Sequence, residues 1–444
     1  MPARHISLSK LGQSSVLIQT NLLMSFKISY PLLSKGFKGK SLALGLIILC
    51  LQNLQAKPMA FEDACSRASK AEHIHELSQS FERSNQARLT QASRFPNPSI
   101  YYEQESARGT NSFDESTVGL SSNLDFLWKR GKRIESAKIR NSISNFQIDA
   151  KRRKISYEIA KLFIEYSYFI KEIKELEKAM QQHERALTIY RELLAKGIIP
   201  ALHLKRINLR VDELLYSKRT LKSKMVGLLT TFRLWVGLDD AIPANHTLLY
   251  SISLNTSEQA MQHAFRSRPD LLSIKTNGKW KAKEVEQYQN EKLPEISLDI
   301  ASKKYPGNED GFFFGISLEI PLGEKQGDLD LAKAAEVTST LEYKIKRKEI
   351  EREVKASWQI WHHLYQDQNS SSTSYVLQSG KDAITGLELS FKNGEITIFE
   401  YLDDLGSFLA GKQNALKYSY EEQSAYLNLS YQSGVETKFT SEKN

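Results

Sequence analysis

The sequence predicts a mainly α-helical fold with a small membrane β part: long antiparallel helices and four β-strands per chain, arranged as an internal duplication. Three observations support this prediction. Two long stretches, 129–195 and 328–392, contain almost no glycine or proline and consist largely of helix-forming residues. Each follows two segments in which apolar and polar residues alternate, the pattern of β-strands. Landmarks of the two halves recur at a nearly constant offset, which indicates duplication.

Residues 1–56 are predicted to be a signal region for export. A basic stretch precedes the apolar run 42–51, and the small residue Ala56 follows it. The run is too short to cross a bilayer as a helix. We therefore expect cleavage after Ala56 and a mature chain that starts near Lys57. Met24 is an alternative start, which would give the signal an ordinary length.

Composition and motifs exclude several classes of function. The net charge is +9, but lysine and arginine alternate with glutamate along helical stretches and no groove-reading motif occurs, so nucleic-acid binding is not expected. The mature chain keeps one cysteine, Cys65, which excludes an internal disulfide and a Cys-based zinc site. Lipidation at Cys50 is disfavoured because bulky Leu49 precedes it. With no nucleophile elbow, phosphate-binding loop or helical histidine pair, we expect no enzyme activity, cofactor or metal.

The duplication rests on five pairs of landmarks. Proline and glycine mark turns and strand ends, so their spacing measures repeated structure. The offset is 196 residues for the first three pairs and 197 for the last two: Pro98 with Pro294, Gly119 with Gly315, Gly131 with Gly327, Gly197 with Gly394, and Gly237 with Gly434. We therefore predict two repeats with the same order of elements.

Each repeat is predicted to begin with a strand pair. Apolar residues alternate with polar or small ones along 118–126 in the first repeat and along 296–301 and 312–320 in the second. Segments of about ten residues with one apolar face are typical of transmembrane β-barrel strands, although a soluble hairpin with one wet face has the same pattern. The residues expected to face lipid are Ile296, Leu298, Ile300, Phe314, Ile316 and Leu318.

A long helix, a tight turn and a return helix are predicted to follow each strand pair. At 1.5 Å per residue, about 67 residues give a rod of roughly 100 Å, which needs partner helices along its side. The predicted order is a half-length helix (57–95), the first membrane strand pair (96–127), the first long helix, hairpin and return helix (128–237), an equatorial linker (238–256), a half-length helix (257–292), the second strand pair (293–323), the second long helix, hairpin and return helix (324–433), and a C-terminal tail (434–444).

Membrane strands have to close into a barrel, because open strand edges are not tolerated in lipid. Four strands are too few to enclose a channel. Four strands from each of three chains would make twelve, which is enough to close. Export, strand pairs and long rods together therefore indicate an oligomeric duct.

Three motifs resemble a known family. Arg268-Pro-Asp-Leu271 precedes the second strand pair, Phe314–Leu322 covers the fourth strand and its exit, and Asn393–Asp403 covers the second hairpin. Their order within a duplicated frame resembles that of the TolC-like outer-membrane factors of tripartite exporters, over residues 58–436. The segment Trp128–Ile134 is similar to a Gly-Lys-Arg element of the cobalt-zinc-cadmium-type branch of that family.

The resemblance implies a homotrimer with a twelve-stranded β-barrel in the outer membrane lipid and a long helical tunnel in the periplasm. It further implies docking to a periplasmic adaptor and an inner-membrane pump, and passive conduction of small molecules or ions. One alternative is an outer-membrane duct for type I protein or peptide secretion. A periplasmic coiled-coil adaptor is another, but the strand pairs between the helical arms disfavour it.

The candidate gate lies just after the second hairpin. Glu400 and Asp403 are three residues apart on a predicted helix and therefore share a face. The resemblance implies that they line the lumen as an acidic ring at the narrow periplasmic end, whereas a solvated helix face is the alternative. Lys205 and Arg206 occupy the corresponding region of the first repeat and are possible gate partners.

The hairpin tips are the expected contact for the adaptor. The resemblance points to Gly197 and Ile198 in the first hairpin and to Gly394 and Glu395 in the second. Tight turns between helices would have the same residues without any partner. The family's arginine after the hairpin glycine has no match, because Glu395 stands there, and this puts the family's closing salt bridge in doubt.

Overall fold

The computed structural model describes residues 57–106, 114–197, 200–249, 256–291, 293–307, 309–320, 326–369 and 383–441. Helices dominate these residues, as the sequence predicts. No helix among them is both long enough and apolar enough to cross a membrane. The predicted signal region 1–56 and the hairpin residue Ile198 lie outside the described residues.

One very long helix organises the others. The helices are α1 Phe61–Ala71, α2 Ile74–Ser93, α3 Phe126–Ala195, α4 Ala201–Val236, α5 Ser257–Ser267, α6 Pro269–Asn290, α7 Gln326–Asn369 and α8 Ile398–Ser433, and residues 383–392 are also helical. The 70 residues of α3 extend over about 105 Å at 1.5 Å per residue. Helices α2, α4, α6 and α8 pack against α3, and α7 packs against α6 and α8.

The two predicted half-length helices are each divided in the structure. Between α1 and α2, His73 adopts a left-handed conformation with φ 54°. Between α5 and α6, Arg268 is extended (φ −70°, ψ 116°) and Pro269 is the first residue of α6. A residue before proline avoids the helical conformation, and proline is well suited to the first turn of a helix. The break at Pro269 thus has a local cause, whereas that at His73 has no comparable signal.

The strands form three sheets within the described residues. Four strands make one antiparallel sheet in the order β2-β3-β6-β7, with β2 Ser99–Ser106, β3 Asp114–Asn123, β6 Glu295–Tyr305 and β7 Glu309–Glu319. Four short strands lie in segments that the sequence did not identify as strands: β1 Lys57–Met59, β4 Ala241–Pro243, β5 His246–Leu249 and β8 Lys438–Ser441. Strand β1 pairs in parallel with β4, and β5 pairs in antiparallel fashion with β8.

The register of the four-stranded sheet brings the six predicted lipid-facing residues onto one face. The paired residues are Ile296 with Leu318, Leu298 with Ile316 and Ile300 with Phe314. Paired residues of antiparallel strands share a face. Ile100, Tyr102, Val118 and Leu120 of the first repeat extend the same face. The result is one continuous apolar surface, most of it exposed.

The first strand pair ends earlier than the alternating pattern predicts. Strand β3 stops at Asn123, and Phe126 begins α3 instead of continuing the strand. The Asn123 side-chain oxygen accepts a hydrogen bond from the backbone N–H of Asp125 at 2.7 Å. Such a bond turns the chain locally and competes with the strand ladder.

Two apolar cores lie along the helices. The larger surrounds the middle of α3, where Phe163 contacts the rings of Phe61, Phe232 and Phe439. The smaller lies beside the hairpins. Helices α4 and α8 both end at glycines, Gly237 and Gly434, with φ 66° and 86°. This agreement is compatible with duplicated halves, but the internal duplication stays a prediction.

Basic side chains from other helices hold the C-terminal end of α8. Three basic side chains approach the last carbonyl oxygens of the helix, those of residues 430–433. An Arg153 nitrogen lies 3.0 Å, an Arg268 nitrogen 3.2 Å and His263 Nδ1 2.8 Å from such an oxygen, each from a different one. The last carbonyls of a helix lack helical partners and carry partial negative charge, so cationic donors stabilise them. This contact fixes one end of the helix that carries Glu400 and Asp403.

Arg268 also gives the Arg-Pro-Asp motif a physical role. Its guanidinium contacts the carboxylates of Asp270 and Glu353, each at 2.7 Å, and its side chain is only 8% exposed. Burial alone would lower the pKa of Arg268, but the hydrogen bonds to Asp270 and Glu353 raise it. Burial alone would raise the pKa of Asp270, but the hydrogen bond from Arg268 lowers it. Arg268 and Asp270 therefore both stay charged.

Replacing Arg268 by alanine should destabilise the folded chain by about 3 kcal/mol, because two partly buried carboxylates lose their partner. The measurement is the thermal unfolding midpoint, followed by circular dichroism. Arg266→Ala, at an exposed position two residues earlier, is the matched control and should change stability by less than about 0.5 kcal/mol. Equal midpoints for the two variants would contradict the proposed role of Arg268.

Candidate functional site

The two hairpin turns have the same backbone geometry. Gly197 and Gly394 both have φ 73°, the left-handed region that favours glycine. Their N–H groups donate to the carbonyl oxygens of Leu194 at 2.9 Å and Phe391 at 3.1 Å. These are ordinary helix C-terminal turns, so their geometry does not by itself require a partner.

Glu395 is held within the second hairpin. Its backbone N–H donates to the carbonyl oxygen of Ser390 at 2.9 Å. Its carboxylate accepts from the Asn393 side-chain amide at 3.2 Å. Hydrogen bonds from Ser390 and Asn393 lower the pKa of Glu395. A fixed negative charge is therefore present at this tip.

A small apolar core joins the helices beside the hairpins. Tyr190 of α3, Ile207 of α4 and Tyr401 of α8 are all buried there. The Tyr190 hydroxyl donates to the carbonyl oxygen of Pro200 at 3.1 Å, which ties α3 to the start of α4. The rings of Phe391 and Tyr401 stack at 4.9 Å between centroids, which ties both arms of the second hairpin.

Glu400 takes part in capping the N-terminus of α8. Its backbone N–H donates to the Thr397 hydroxyl at 3.3 Å, and its carboxylate accepts from the Thr397 backbone N–H at 2.6 Å. This reciprocal pair is a capping box. The backbone hydrogen bond from Thr397 lowers the pKa of Glu400, so the carboxylate stays charged below the ordinary range. The Thr-x-x-Glu signature is present in the sequence, but the capping box was not among the features predicted from it.

Glu400 and Asp403 line one exposed cleft with basic residues of α4. The cleft has a volume of about 540 Å³ and includes Arg206 and Arg210. Of the two predicted partners, Arg206 therefore reaches the cleft, whereas exposed Lys205 does not line it. Arg210 was not among the gate partners predicted from the sequence, although it lies one helical turn after Arg206 and therefore on the same face.

The two arginines of the cleft contact other residues that also line it. The Arg206 guanidinium lies over the Phe399 ring at 4.7 Å. Arg210 pairs with Glu213 at 2.7 Å. Within the described part of the chain, no ion pair joins Arg206 to Glu400 or Asp403. The two carboxylates therefore face the cleft as exposed negative charges with cations nearby.

The described residues offer no cluster of metal-ligating side chains. No group of three or more histidine, cysteine, aspartate or glutamate side chains is placed to hold a metal ion among the described residues. Cys65 is the only cysteine there and is partly buried. Burial raises the pKa of its thiol to about 11.

Comparison with known proteins identifies the fold. No known family profile matches the sequence, and no curated protein matches it. The chain is similar in structure to CusC (TM-score 0.63, 18% identity, 85% of this chain and 92% of that chain). It is also similar to the outer membrane protein VceC of Vibrio cholerae (0.62, 16%, 84% and 96%) and to the open-state MtrE outer membrane channel of Neisseria gonorrhoeae (0.60, 15%, 84% and 88%).

At these identities the likeness defines the fold alone. The chain has the TolC-like fold of outer-membrane channels, mostly helical with a few strands, which confirms the predicted fold class at that level. Barrel closure and trimer formation are not visible in a single chain. The cobalt-zinc-cadmium-type branch stays a prediction, because the similar structures do not single it out.

The two roles of Glu400 can be separated by substitution. Thr397→Ala should remove the cap and destabilise the first turn of α8 by about 1 kcal/mol. Glu400→Gln should keep the cap, because glutamine also reaches back to the N-cap N–H, while it removes the charge. Amide hydrogen exchange over 398–401 is the measurement. Faster exchange in Glu400→Gln than in Thr397→Ala would contradict the capping role.

Proposed function

We propose that this chain is the outer-membrane channel of a tripartite efflux system. Three copies form a twelve-stranded β-barrel and a periplasmic helical tunnel, through which small molecules or ions pass passively from an adaptor and an inner-membrane pump to the exterior. The observation that carries the proposal is a sheet with an exposed apolar face next to a helix about 105 Å long. The channel fold of the similar structures supports it.

The sheet is incomplete as a membrane structure. Strands β2 and β7 are its edges, and neither edge is paired within the described residues. On the apolar face, Phe314, Ile316 and Leu318 are 59%, 68% and 55% exposed. Lipid would cover this face, and pairing of β7 with β2 of a second copy would remove the open edges. Twelve strands from three copies close such a barrel.

Helix α4 has two apolar seams, and one of them is exposed among the described residues. Ile207, Leu214, Leu221 and Leu228 repeat every seven residues and are buried in the chain's own cores. Leu202, Leu209 and Tyr216 also repeat every seven residues, but they are 66%, 63% and 73% exposed. Seven-residue apolar repeats are typical of helices that pack side by side. We assign the exposed seam to a neighbouring copy in the tunnel wall.

The gate is proposed at the cleft beside the hairpins. In a trimer, Glu400 and Asp403 of three copies would bring six carboxylates around the axis at the periplasmic end. Charge rings in a narrow pore attract counter-ions and determine selectivity. The tips at Gly197 and Gly394 remain the proposed contact for the adaptor, and the carboxylate of Glu395 would favour basic adaptor side chains.

Location and assembly test the proposal directly. The mature protein should fractionate with outer membranes and migrate as a trimer in mild detergent. In planar bilayers it should form ion-conducting pores. Recovery as a soluble periplasmic monomer would contradict the channel function.

The orientation of β7 can be tested with two adjacent substitutions. Ile316→Arg should impair membrane insertion by about 2–4 kcal/mol if the residue lies near the midplane, because arginine would face lipid. Ser317→Arg, on the opposite face, should be tolerated. The yield of trimer in outer membranes is the measurement. A lower yield for Ser317→Arg than for Ile316→Arg would mean that the faces are reversed.

The acidic ring can be tested by neutralisation. Glu400→Gln combined with Asp403→Asn should weaken block by a trivalent cation by roughly tenfold or more, because the attracting field is lost. Single-pore recordings at matched salt are required, since salt screens these charges. Asp404→Asn, at an exposed neighbouring position outside the cleft, is the control. Unchanged block in the double variant would assign the two carboxylates to a solvated helix face.

A further inference from the structure

The polar face of the four-stranded sheet carries mostly negative charge. Odd-numbered residues of β2, β3, β6 and β7 share this face, as the register shows. Among the described strand residues, its carboxylates are Glu103, Glu105, Glu115, Glu295, Asp299, Glu309 and Glu319. Its one basic residue is Lys303. Such a face attracts cations along its length.

Lys303 occupies a defined position on this face. Its ammonium nitrogen lies 2.6 Å from a carboxylate oxygen of Glu115. The same nitrogen lies 5.7 Å from the centroid of the Phe313 ring. A carboxylate and an aromatic face are the two groups that recognise an ammonium ion in proteins. Glu115 and Phe313 together form an ammonium seat, which the chain fills with its own side chain.

Glycines allow aromatic rings to lie along this wall. The Tyr101 ring covers Gly119, and a Cβ atom at Gly311 or Gly315 would meet the Tyr305 or Phe313 ring at 2.5 and 2.8 Å. Aromatic rings that cover strand glycines stabilise a sheet. The Phe313 ring is the one that the Lys303 ammonium approaches.

We infer that the ammonium seat is an exchange site for organic cations on the wall of the duct, with Lys303 as a tethered competitor. The inference rests on the proposed channel function, because the polar face becomes the pore wall only in a closed barrel. A passing cation displaces the Lys303 ammonium from Glu115 and Phe313, and Lys303 then displaces the cation. No bond is made or broken, and the cargo class is an ammonium-type cation.

The competitor explains how a strongly acidic wall releases its cargo. Conduction requires binding that is favourable enough for entry and weak enough for exit. Without Lys303, Glu115 and Phe313 would hold a cation with nothing to displace it. The alternative is that Lys303 and Glu115 are an ordinary cross-strand ion pair that stabilises the sheet. The two roles differ in what happens when the ammonium is removed.

Single-pore block by tetramethylammonium in planar bilayers distinguishes these roles. Lys303→Met in the full-length trimer should make the block roughly three- to tenfold tighter, because the seat is vacated. Lys304→Met, the same change on the opposite face of the same strand, should leave the block as in wild type. Adding Glu115→Gln to Lys303→Met should weaken the block again. If Lys303→Met does not insert, Lys303→Gln has the same expected result.

Two outcomes would overturn the inference and can be told apart. Equal block in the Lys303→Met and Lys304→Met variants, with normal conductance, would show that no cation uses the seat. This result would leave the channel function intact. Absence of any conductance from the wild-type protein would instead overturn the proposed function and the seat with it.

Discussion

The 70-residue helix α3 forms its own backbone hydrogen bonds, but its apolar side chains must be covered along its whole length. The other helices of the fold provide this cover. Helices α2 and α6 cover the part of α3 that lies near the strands, and helices α4 and α8 cover the part near the hairpins. Four shorter helices therefore fit one long helix. The exposed seam of α4, with Leu202 and Leu209, is apolar surface that the described helices leave uncovered, and we propose another copy as its partner.

Local patterns predicted most of the elements, and tertiary contacts determined the rest. The glycine-poor stretch 129–195 lies within α3, and the described parts of 328–392 are helical, whereas residues 370–382 lie outside the described residues. Period-two alternation predicted the faces of β6 and β7, because this signal acts over neighbouring residues. Short strands such as β8 depend on a partner far along the chain: Phe439 is positioned by packing on Phe61. The break at His73 likewise has no local breaker, so the surrounding packing has to determine it.

The candidate site was predictable in its residues and less so in its contacts. Glu400 and Asp403 do line one cleft with Arg206. The sequence could not show that Arg206 lies over Phe399, because a guanidinium chooses between a carboxylate and an aromatic face according to the geometry around it. Glu400 combines a helix cap with an exposed charge, so its presence alone does not establish a gate. Distances across a symmetry axis are not encoded in one chain's local pattern.

The two acidic regions of the molecule differ in how their charge is controlled, and this difference bears on how tightly each region would bind a cation in the proposed duct. At the hairpins, the cap holds Glu400 in place, and the hydrogen bonds from Thr397 lower the pKa of this exposed carboxyl group. On the strand wall, Glu115 is neutralised by Lys303 within one chain. In the proposed duct, a cation would therefore meet exposed carboxylates at the periplasmic entrance and, on the acidic strand wall near the exit, a site at Glu115 that Lys303 contests. Weak binding late in the path favours release, since a passive channel gains nothing from holding its cargo.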